Sequence, residues 1–522
     1  MTLPDGIAGR TLDVIVIGAG MGGGLAARAL AEAGLDVLIL EKGRAGLRSE
    51  RQDLSPAVFD PVARTVRGYW PDPVRARVDG REAEVFAPLG MGVGGSSVFY
   101  AATLERPERH DLDHSEARPH PTGGWPIRYD EFAPWLGRAE TLLKIHGTPD
   151  PLSAETAALR DPPPADPGDA RLIDRMTAHG LHPYRAHMAV AHLPGCLDCM
   201  GRKCPRPCKM DGRSAGVEPA LATGHAALLT ECDVQALRGT EGTVTGLDVR
   251  RYGETHRLSA RAYVLAAGAL SSPRLLLAST DWAGGAANGS GLVGRGLMFH
   301  LNEMFALWPR GATTGPSRGI SLRDLYWQDG QRWGTIQSMG VEAGYGEILH
   351  YLRQMLARSR WDGRAAREAA RLPAALAARM LGRAKVFVGL MEDLPYDDNR
   401  VTLDPSAPDR ITFDYTLPEE LLTRRRAYRR AIRRAMRGQR MAFLTRGPEL
   451  NFGHPSGTLR FGADPATSVL NADCRAHGLG NLWVADASFM PTSMGTNPSL
   501  TIAANALRVG GVVAREIKEG RI

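Results

Sequence analysis

The sequence predicts an α/β protein. Its Rossmann-like, dinucleotide-binding domain is discontinuous in the chain and carries an inserted α+β substrate domain built on an antiparallel sheet. Three observations predict this. A strand–glycine turn–helix–strand unit opens the chain, with an acid closing its second strand. Strand, turn and helix return near the other end, from Leu482 to the Ala-rich stretch after Thr501. Between them lie alternating, strand-like segments and two Arg-rich helical stretches, with no internal repeat. The expected boundaries are 1–105, 192–300 and 447–522 for the dinucleotide-binding domain, and 106–191 and 301–446 for the substrate domain. A chain of 522 residues is long enough for both and for a sizeable core.

The apolar run Val14-Ile15-Val16-Ile17 reads as a buried parallel strand. Gly18, Gly20 and Gly23 then make a G-x-G-x-x-G turn. The first glycine permits the tight turn, the second lets a pyrophosphate approach the backbone, and the third lets helix pack on strand. A helical pattern follows through Leu25, Ala29, Leu30 and Ala33, and its N-terminus favours phosphates. The second strand, Leu35 to Leu40, ends in Glu41, an acceptor for the hydroxyls of an adenosine ribose. A lone glycine turn is weak evidence, whereas the ordered set is a specific signature of dinucleotide binding. A second glycine-rich block runs from Gly90 to Ser97, and Trp125-Pro126 stands ahead of a helix. Tyr263 to Pro273 reads as strand, turn and helix, as does the block containing Asp486 and Asn497-Pro498.

Composition narrows the class. A hydrophobic fraction of 43% and a charged fraction of 23% fit a globular protein. No apolar run reaches membrane-spanning length, and Met1-Thr-Leu-Pro-Asp5 does not read as a secretory signal, so a cytoplasmic location is expected. The net charge is +7, partly from nine arginines between Arg424 and Arg440 and from a second stretch between Arg353 and Lys385. Their expected role is as solvated helix faces, with an anionic membrane surface as the alternative. No nucleic-acid-binding module accompanies them, which excludes nucleic acid as a partner. Cys196, Cys199, Cys204 and Cys208 cluster, while Cys232 and Cys474 stand apart. In a cytoplasmic protein such a cluster points to a metal, to catalysis or to reduced thiols rather than to disulfides.

Taken in order, these blocks resemble the glucose–methanol–choline (GMC) family of FAD-dependent oxidoreductases over nearly the whole chain. The set includes Asn399-Arg-Val-Thr-Leu-Asp404 and Gly268-Ala-Leu-Ser-Ser-Pro273, although Ala278-Ser279-Thr280 replaces the small Ser-Gly pair usual after the latter. The resemblance implies that Gly18, Gly20 and Gly23 cradle the FAD pyrophosphate and Glu41 holds the ribose. It places Gly94, Gly95 and Ser96 along the flavin, Val234 at the adenine, and Asp486 near the pyrophosphate and ribityl chain. No histidine follows in Ser97-Val98-Phe99-Tyr100, so noncovalent FAD is expected. Gly453-His454-Pro455-Ser456-Gly457-Thr458 is similar to the family's His-x-x-Gly-Thr segment, and Asn497 matches its second active-site position. His454 is then the general base on a substrate hydroxyl, with Asn497 also close to the cofactor and donating a hydrogen bond to the developing alkoxide. His300 and His477 are reserve candidates for the base.

The same resemblance implies oxidation of a small-molecule alcohol to an aldehyde or ketone, with oxygen or a redox partner as electron acceptor. The Cys204-Pro-Arg-Pro-Cys208-Lys run is similar to dehydrogenases of aminoglycoside pathways, which implies a sugar-like primary hydroxyl and a place in antibiotic biosynthesis. Glu392 and Asp393 are candidate acids for a cationic substrate. A membrane-surface dehydrogenase of an apolar alcohol or sterol, feeding a quinone or cytochrome, and a non-redox flavoprotein are the alternatives. The Cys199-x4-Cys204-x3-Cys208 spacing resembles the ligand region of iron–sulfur relatives, but no metal ligand is assigned.

Overall fold

The computed structural model describes residues 11–522 except 47, 49–60, 156, 197, 198, 200, 312–318, 383 and most of 341–362. Met1 to Asp5, read above for a leader, and residues 354, 355, 357–362 and 383 of the Arg353–Lys385 stretch lie outside the described residues.

Strand β1 (Thr11–Ile17) is the centre of a parallel sheet because its residues Val14 to Val16 have no exposed surface and want cover on both faces. It pairs in parallel with β2 (Val37–Leu40) on one side and with the long strand Glu254–Leu265 on the other. Ala226–Leu229 extends the sheet beyond β2, and Leu482–Val484 pairs with the end of Glu254–Leu265. The register aligns the strand ends: Ile17 is level with Leu40 and Leu265, Leu40 with Leu229, and Val484 with Leu265. The first half of Glu254–Leu265 instead joins an antiparallel meander with Thr243–Arg251 and Cys232–Thr240.

Helix α1 (Met21–Glu32) follows β1 through the glycine turn. Gly18 has φ +103°, a conformation that side chains other than glycine's rarely adopt. A Cβ on Gly23 would lie 1.9 Å from the Gly18 carbonyl oxygen, so helix and strand touch backbone to backbone. A Cβ on Gly20 would meet nothing nearer than the Gly95 Cα at 4.0 Å, leaving an open gap beside the helix N-terminus. The other face of α1 packs on the C-terminal helix Ser499–Lys518, where a Cβ on Gly510 would come within 2.7 Å of the Ala29 Cβ.

The second sheet is antiparallel, in the order Met441–Phe443, Leu301–Leu307, Lys385–Met391, Ile336–Ser338, Ile320–Leu322 and Tyr184–Arg185. Helix Glu419–Ala435 covers it with Leu421, Tyr428 and Ile432, all fully buried, as the spacing of its apolar residues predicts. The expectation that its arginines form a solvated face needs correction. Arg426, Arg430, Arg433 and Arg434 are exposed, but Arg424 and Arg425 are buried. Arg424 donates to the Glu392 carbonyl at 2.6 Å and pairs with Glu420, while Arg425 and Arg429 each approach the buried Glu303 at 2.5 Å. The buried carboxylate of Glu303 requires those cations. Helix Tyr129–Leu142 buries Tyr129, Phe132 and Leu136 in the same core as β1. Val74–Val78 and Arg81–Val85 form a smaller sheet with Arg400–Thr402 and Thr412–Tyr415.

The two glycines allow opposite expectations. Gly23→Ala should lower the stability of flavin-free protein by at least about 1–3 kcal/mol, because backbone must move to admit the methyl group. Gly20→Ala should leave flavin-free stability nearly unchanged and weaken FAD retention. Chemical denaturation and flavin titration of the two variants check this, and equal stability losses would contradict the packing.

Candidate active site

The aligned strand ends collect the residues expected to hold the cofactor. Gly18 follows β1, Glu41 follows β2, Ala266 to Gly268 follow Glu254–Leu265, and Asp486 lies two residues beyond Val484. Ligands of open parallel sheets bind at this carboxyl edge. The Glu41 carboxylate accepts from the Ala19 N–H at 3.0 Å and from the Gly43 N–H at 2.8 Å, which fixes it against the glycine turn. Burial pushes its carboxyl up, opposed by those N–H groups. The Cys232 N–H donates to the Glu41 carbonyl at 3.0 Å, bringing Val234 to the same edge at a break in strand register. The Gly94 N–H donates to the Ala19 carbonyl at 2.8 Å, so the second glycine block lies directly on the first. Ser96 turns its hydroxyl back to accept from the Gly90 N–H at 2.9 Å. Asp486 is a clamp: it accepts from the Gly268 N–H at 2.8 Å, from the Ser272 hydroxyl, and from the Ser488 N–H at 2.9 Å.

These residues fit a dinucleotide. The gap between Gly20 and Gly95 is one that side chains would fill, and Gly20 caps α1 without a side-chain acceptor or any acid in the first turn. The first N–H groups of the helix therefore face that gap and suit a phosphate. The pyrophosphate would lie at Gly18 to Gly23, the ribose at Glu41 and the flavin along Gly94 to Ser96.

The residues expected to carry the chemistry are tied to both sheets. The loop holding His454 is tied to the chain entering strand Leu301–Leu307, since Met298 and Ser456 exchange N–H to carbonyl bonds of 3.0 Å each. It is tied to the Asp486 segment by Gly457 N–H to the Ala487 carbonyl, at 3.1 Å. His454 retains some exposed surface, although enough protein surrounds the ring that burial, followed by the neighbouring His300, holds its imidazole well below the usual range. Its Nδ1 lies 3.0 Å from Nδ1 of His300 and 3.2 Å from Nδ2 of Asn451. Asn497 is buried and donates from Nδ2 to Oε1 of Gln337 at 2.8 Å. The structure thus joins His300 to His454, while His477 lies apart, bonded to the Ser468 hydroxyl at 3.0 Å. Gln337 and Asn451 carry no sequence signal. Gln337 is one polar residue within a short strand, and Asn451 matters only because its loop turns back on His454.

Glu392 and Asp393 do not offer free charges to a substrate. Both are buried, and Arg332 reaches Glu392 through two N–H bonds of 2.8 and 3.0 Å. Burial alone would raise the Glu392 carboxyl, but Arg332 outweighs it and holds the group down to about 2. Asp393 accepts from the Tyr415 hydroxyl and from the Phe299 N–H, at 2.5 and 2.9 Å. Burial pushes its carboxyl up to about 7. The thiols of Cys196 and Cys208 are 3.4 Å apart, and all six cysteines are unbridged. Among the described residues no group of three or more His, Cys, Asp or Glu side chains is placed to hold a metal ion. Nor is any helix of the described residues long and apolar enough to cross a membrane.

A glycine-lined gap at the carboxyl edge of a parallel sheet is the kind of site that fits a dinucleotide cofactor. The chain belongs to the GMC oxidoreductase family: residues 12–302 match its N-terminal domain and 395–506 its C-terminal domain. It is 31% identical to paromamine 6'-oxidase of Streptomyces fradiae, over 97% of this chain and 92% of that one. It is 30% identical to 6'''-hydroxyparomomycin C oxidase of Streptomyces lividus, over 99% and 94%. Pyridoxine 4-oxidase from Mesorbium loti shares the fold, with a TM-score of 0.63 at 20% identity over 98% of this chain and 99% of that one. The protein is therefore an FAD-dependent enzyme that oxidises small-molecule alcohols. These relatives favour neither the apolar-alcohol nor the non-redox alternative.

Asp393 yields a pH dependence. Its folded value lies above the ordinary 3.8, so its contribution to stability is complete below about pH 4 and is lost as pH rises through about 7. Asp393→Asn, uncharged throughout, should lose about 2–3 kcal/mol less stability than the parent between pH 5 and pH 8. Urea midpoints at both pH values measure it, and parallel losses in the two proteins would contradict the neutral carboxyl.

Proposed function

We propose that this enzyme binds FAD noncovalently and oxidises a primary hydroxyl of an amino sugar of the aminoglycoside class to the aldehyde, as a step in antibiotic biosynthesis. The observation that carries the reading is the held pair, His454 on His300 and Asn497 on Gln337, beside the dinucleotide edge. His454 takes the hydroxyl proton through its Nε2. One amide hydrogen of Asn497 is committed to Gln337, and the other is available to the developing alkoxide. FAD, when bound, supplies the hydride acceptor. The substrate class rests on the two aminoglycoside oxidases at 31% and 30% identity. Their names favour oxygen as the final acceptor over a redox partner. A cytoplasmic location, expected from the sequence, is part of this reading.

The domain division at 1–105, 192–300 and 447–522, against 106–191 and 301–446, is part of this reading. All strands of the antiparallel sheet fall within the second set of bounds. The helix Tyr129–Leu142 falls there too but packs into the first core, and Val74–Val78 of the first set pairs with Thr412–Tyr415 of the second, so the two units are joined at both places.

His454→Ala should keep FAD and the fold but slow alcohol-dependent flavin reduction by about 10²–10⁴-fold, the usual worth of a general base. Asn497→Ala should slow it by about 10²–10³-fold, the loss of one donor to the alkoxide. Anaerobic rapid mixing with paromamine, glucose, a sterol and an aliphatic alcohol follows the step through flavin absorbance. Reduction by the sterol alone would overturn the substrate class, and an unchanged rate in His454→Ala would overturn the base. Acid precipitation that leaves flavin on the protein would overturn noncovalent binding.

A further inference from the structure

His300 has no exposed surface and stands with its ring nearly perpendicular to that of His454, at 82° and 5.0 Å between centroids. Its two nitrogens face different partners. Nε2 is 3.0 Å from the carbonyl oxygen of Met494, and Nδ1 is 3.0 Å from Nδ1 of His454. A carbonyl can only accept, so Nε2 of His300 carries a proton. Burial lowers the His300 imidazole to about 4, so the ring is neutral and its Nδ1 is bare. A bare nitrogen needs a donor, and His454 Nδ1 is the group that faces it. The proton of neutral His454 therefore sits on Nδ1, and its Nε2 carries the lone pair.

The opposite arrangement would place a proton on His300 Nδ1 and leave its Nε2 bare, 3.0 Å from the buried Met494 carbonyl. Two lone pairs would then face each other without water between them, which costs more than an imperfect hydrogen bond. Asn451 tests the assignment from the other side. Its Oδ1 accepts from the Gly453 N–H at 3.1 Å, which turns Nδ2 toward His454 Nδ1. Asn451 is only half-buried, so that amide hydrogen can bond water, whereas the Met494 carbonyl lies among residues with no exposed surface.

We propose that His300 is a positioning residue that fixes the tautomer of His454, holding the proton on Nδ1 so that Nε2 is free to accept the substrate's hydroxyl proton. The proposal rests on the reading of His454 as the base. When Nε2 takes the hydroxyl proton, His454 becomes an imidazolium whose Nδ1–H still points at the lone pair of His300, and that bond strengthens with the charge. The aspartate of a serine–histidine–aspartate triad has the same duty, to set the tautomer and steady the imidazolium. A neutral imidazole performs it without placing an anion in the cleft. The bond to Met494 also couples the base to the chain segment that carries Asn497 three residues later.

Two isosteric variants separate the nitrogens. Asn at 300 places an amide oxygen near the former Nδ1 and retains an acceptor for His454. Gln at 300 places an amide nitrogen near the former Nε2 and retains only the link to Met494. His300→Gln should slow anaerobic flavin reduction by about 10²-fold or more, with KM little changed, since His300 is not placed against substrate. His300→Asn should stay within about tenfold of the parent. In flavin-loaded protein labelled with 15N-histidine, His454 should show a protonated Nδ1 and a bare Nε2 in the parent and in His300→Asn, and should lose that preference in His300→Gln. A parent-like rate in His300→Gln would overturn the proposal, as would an Asn variant as slow as the Gln variant, or a protonated Nε2 in the parent. If His454→Ala itself reduces flavin at the parent rate, the reading of His454 as base fails instead, whatever the variants at 300 do.

Discussion

The structure depends on the register of one parallel sheet. Ile17, Leu40, Leu229, Leu265 and Val484 end their strands at a common level, although they come from segments spread over most of the chain. Each chain segment leaving that edge therefore enters the same small volume: the glycine turn, Glu41, the 230–234 connection, Gly268 and Asp486. A slip of one residue in any pair would exchange the side chains packed on the strand's two covered faces and carry its terminal residue away from the edge. The glycines exploit this alignment. Gly23 brings α1 against β1, and the Gly94 bond to Ala19 brings the second glycine block against the turn, so backbone rather than side chain lines the gap.

The proposed catalytic pair, His454 and Asn497, belongs to neither sheet and is held from both. His454 is braced from one side by Met298 and His300, which lead into the antiparallel sheet, and from the other by the segment clamped at Asp486. Asn497 is braced by Gln337, and the Thr335 N–H to Gly495 carbonyl bond of 2.7 Å holds its loop on the same sheet. Asp393 ties these supports together, accepting from Phe299 N–H while its own N–H donates to the Ser493 hydroxyl at 2.8 Å. Reacting groups must be held to fractions of an ångström, and a second layer of hydrogen bonds of this kind supplies that precision.

Local chemistry was legible in the sequence, and long-range pairing was not. The glycine turn could be read because each of its roles is fixed within a few residues: tight turn, open approach, close packing. The α/β class and the antiparallel second sheet could be read from periodicity and from the return of strand–turn–helix near residue 482. Arg424 and Arg425 were misread as solvated because the groups that draw them inward, Glu303 and the Glu392 carbonyl, are distant in sequence or belong to the backbone. Glu392 looked available until Arg332 came across from the short strand Gln331–Arg332. Gln337 was invisible because a polar residue in a three-residue strand has no pattern to break.

Those internal pairings constrain how a cationic substrate is recognised under the proposed reading. The net charge of +7 gives no long-range attraction to a polyamine, and two buried acids of the substrate domain are already paired, Glu392 with Arg332 and Glu303 with Arg425 and Arg429. With those two occupied, uncharged acceptors at close range and shape carry more of the selectivity. Such a site works best if it adds no positive charge of its own before the chemical step. Burial of His300, and of enough of His454 to keep both imidazoles neutral, meets that requirement, and the base acquires charge only as the substrate loses its proton. An anionic partner for His454 would have made a stronger base, but it would also have favoured the imidazolium before substrate arrived. A neutral imidazole partner leaves the base both uncharged and unprotonated on the nitrogen that must react.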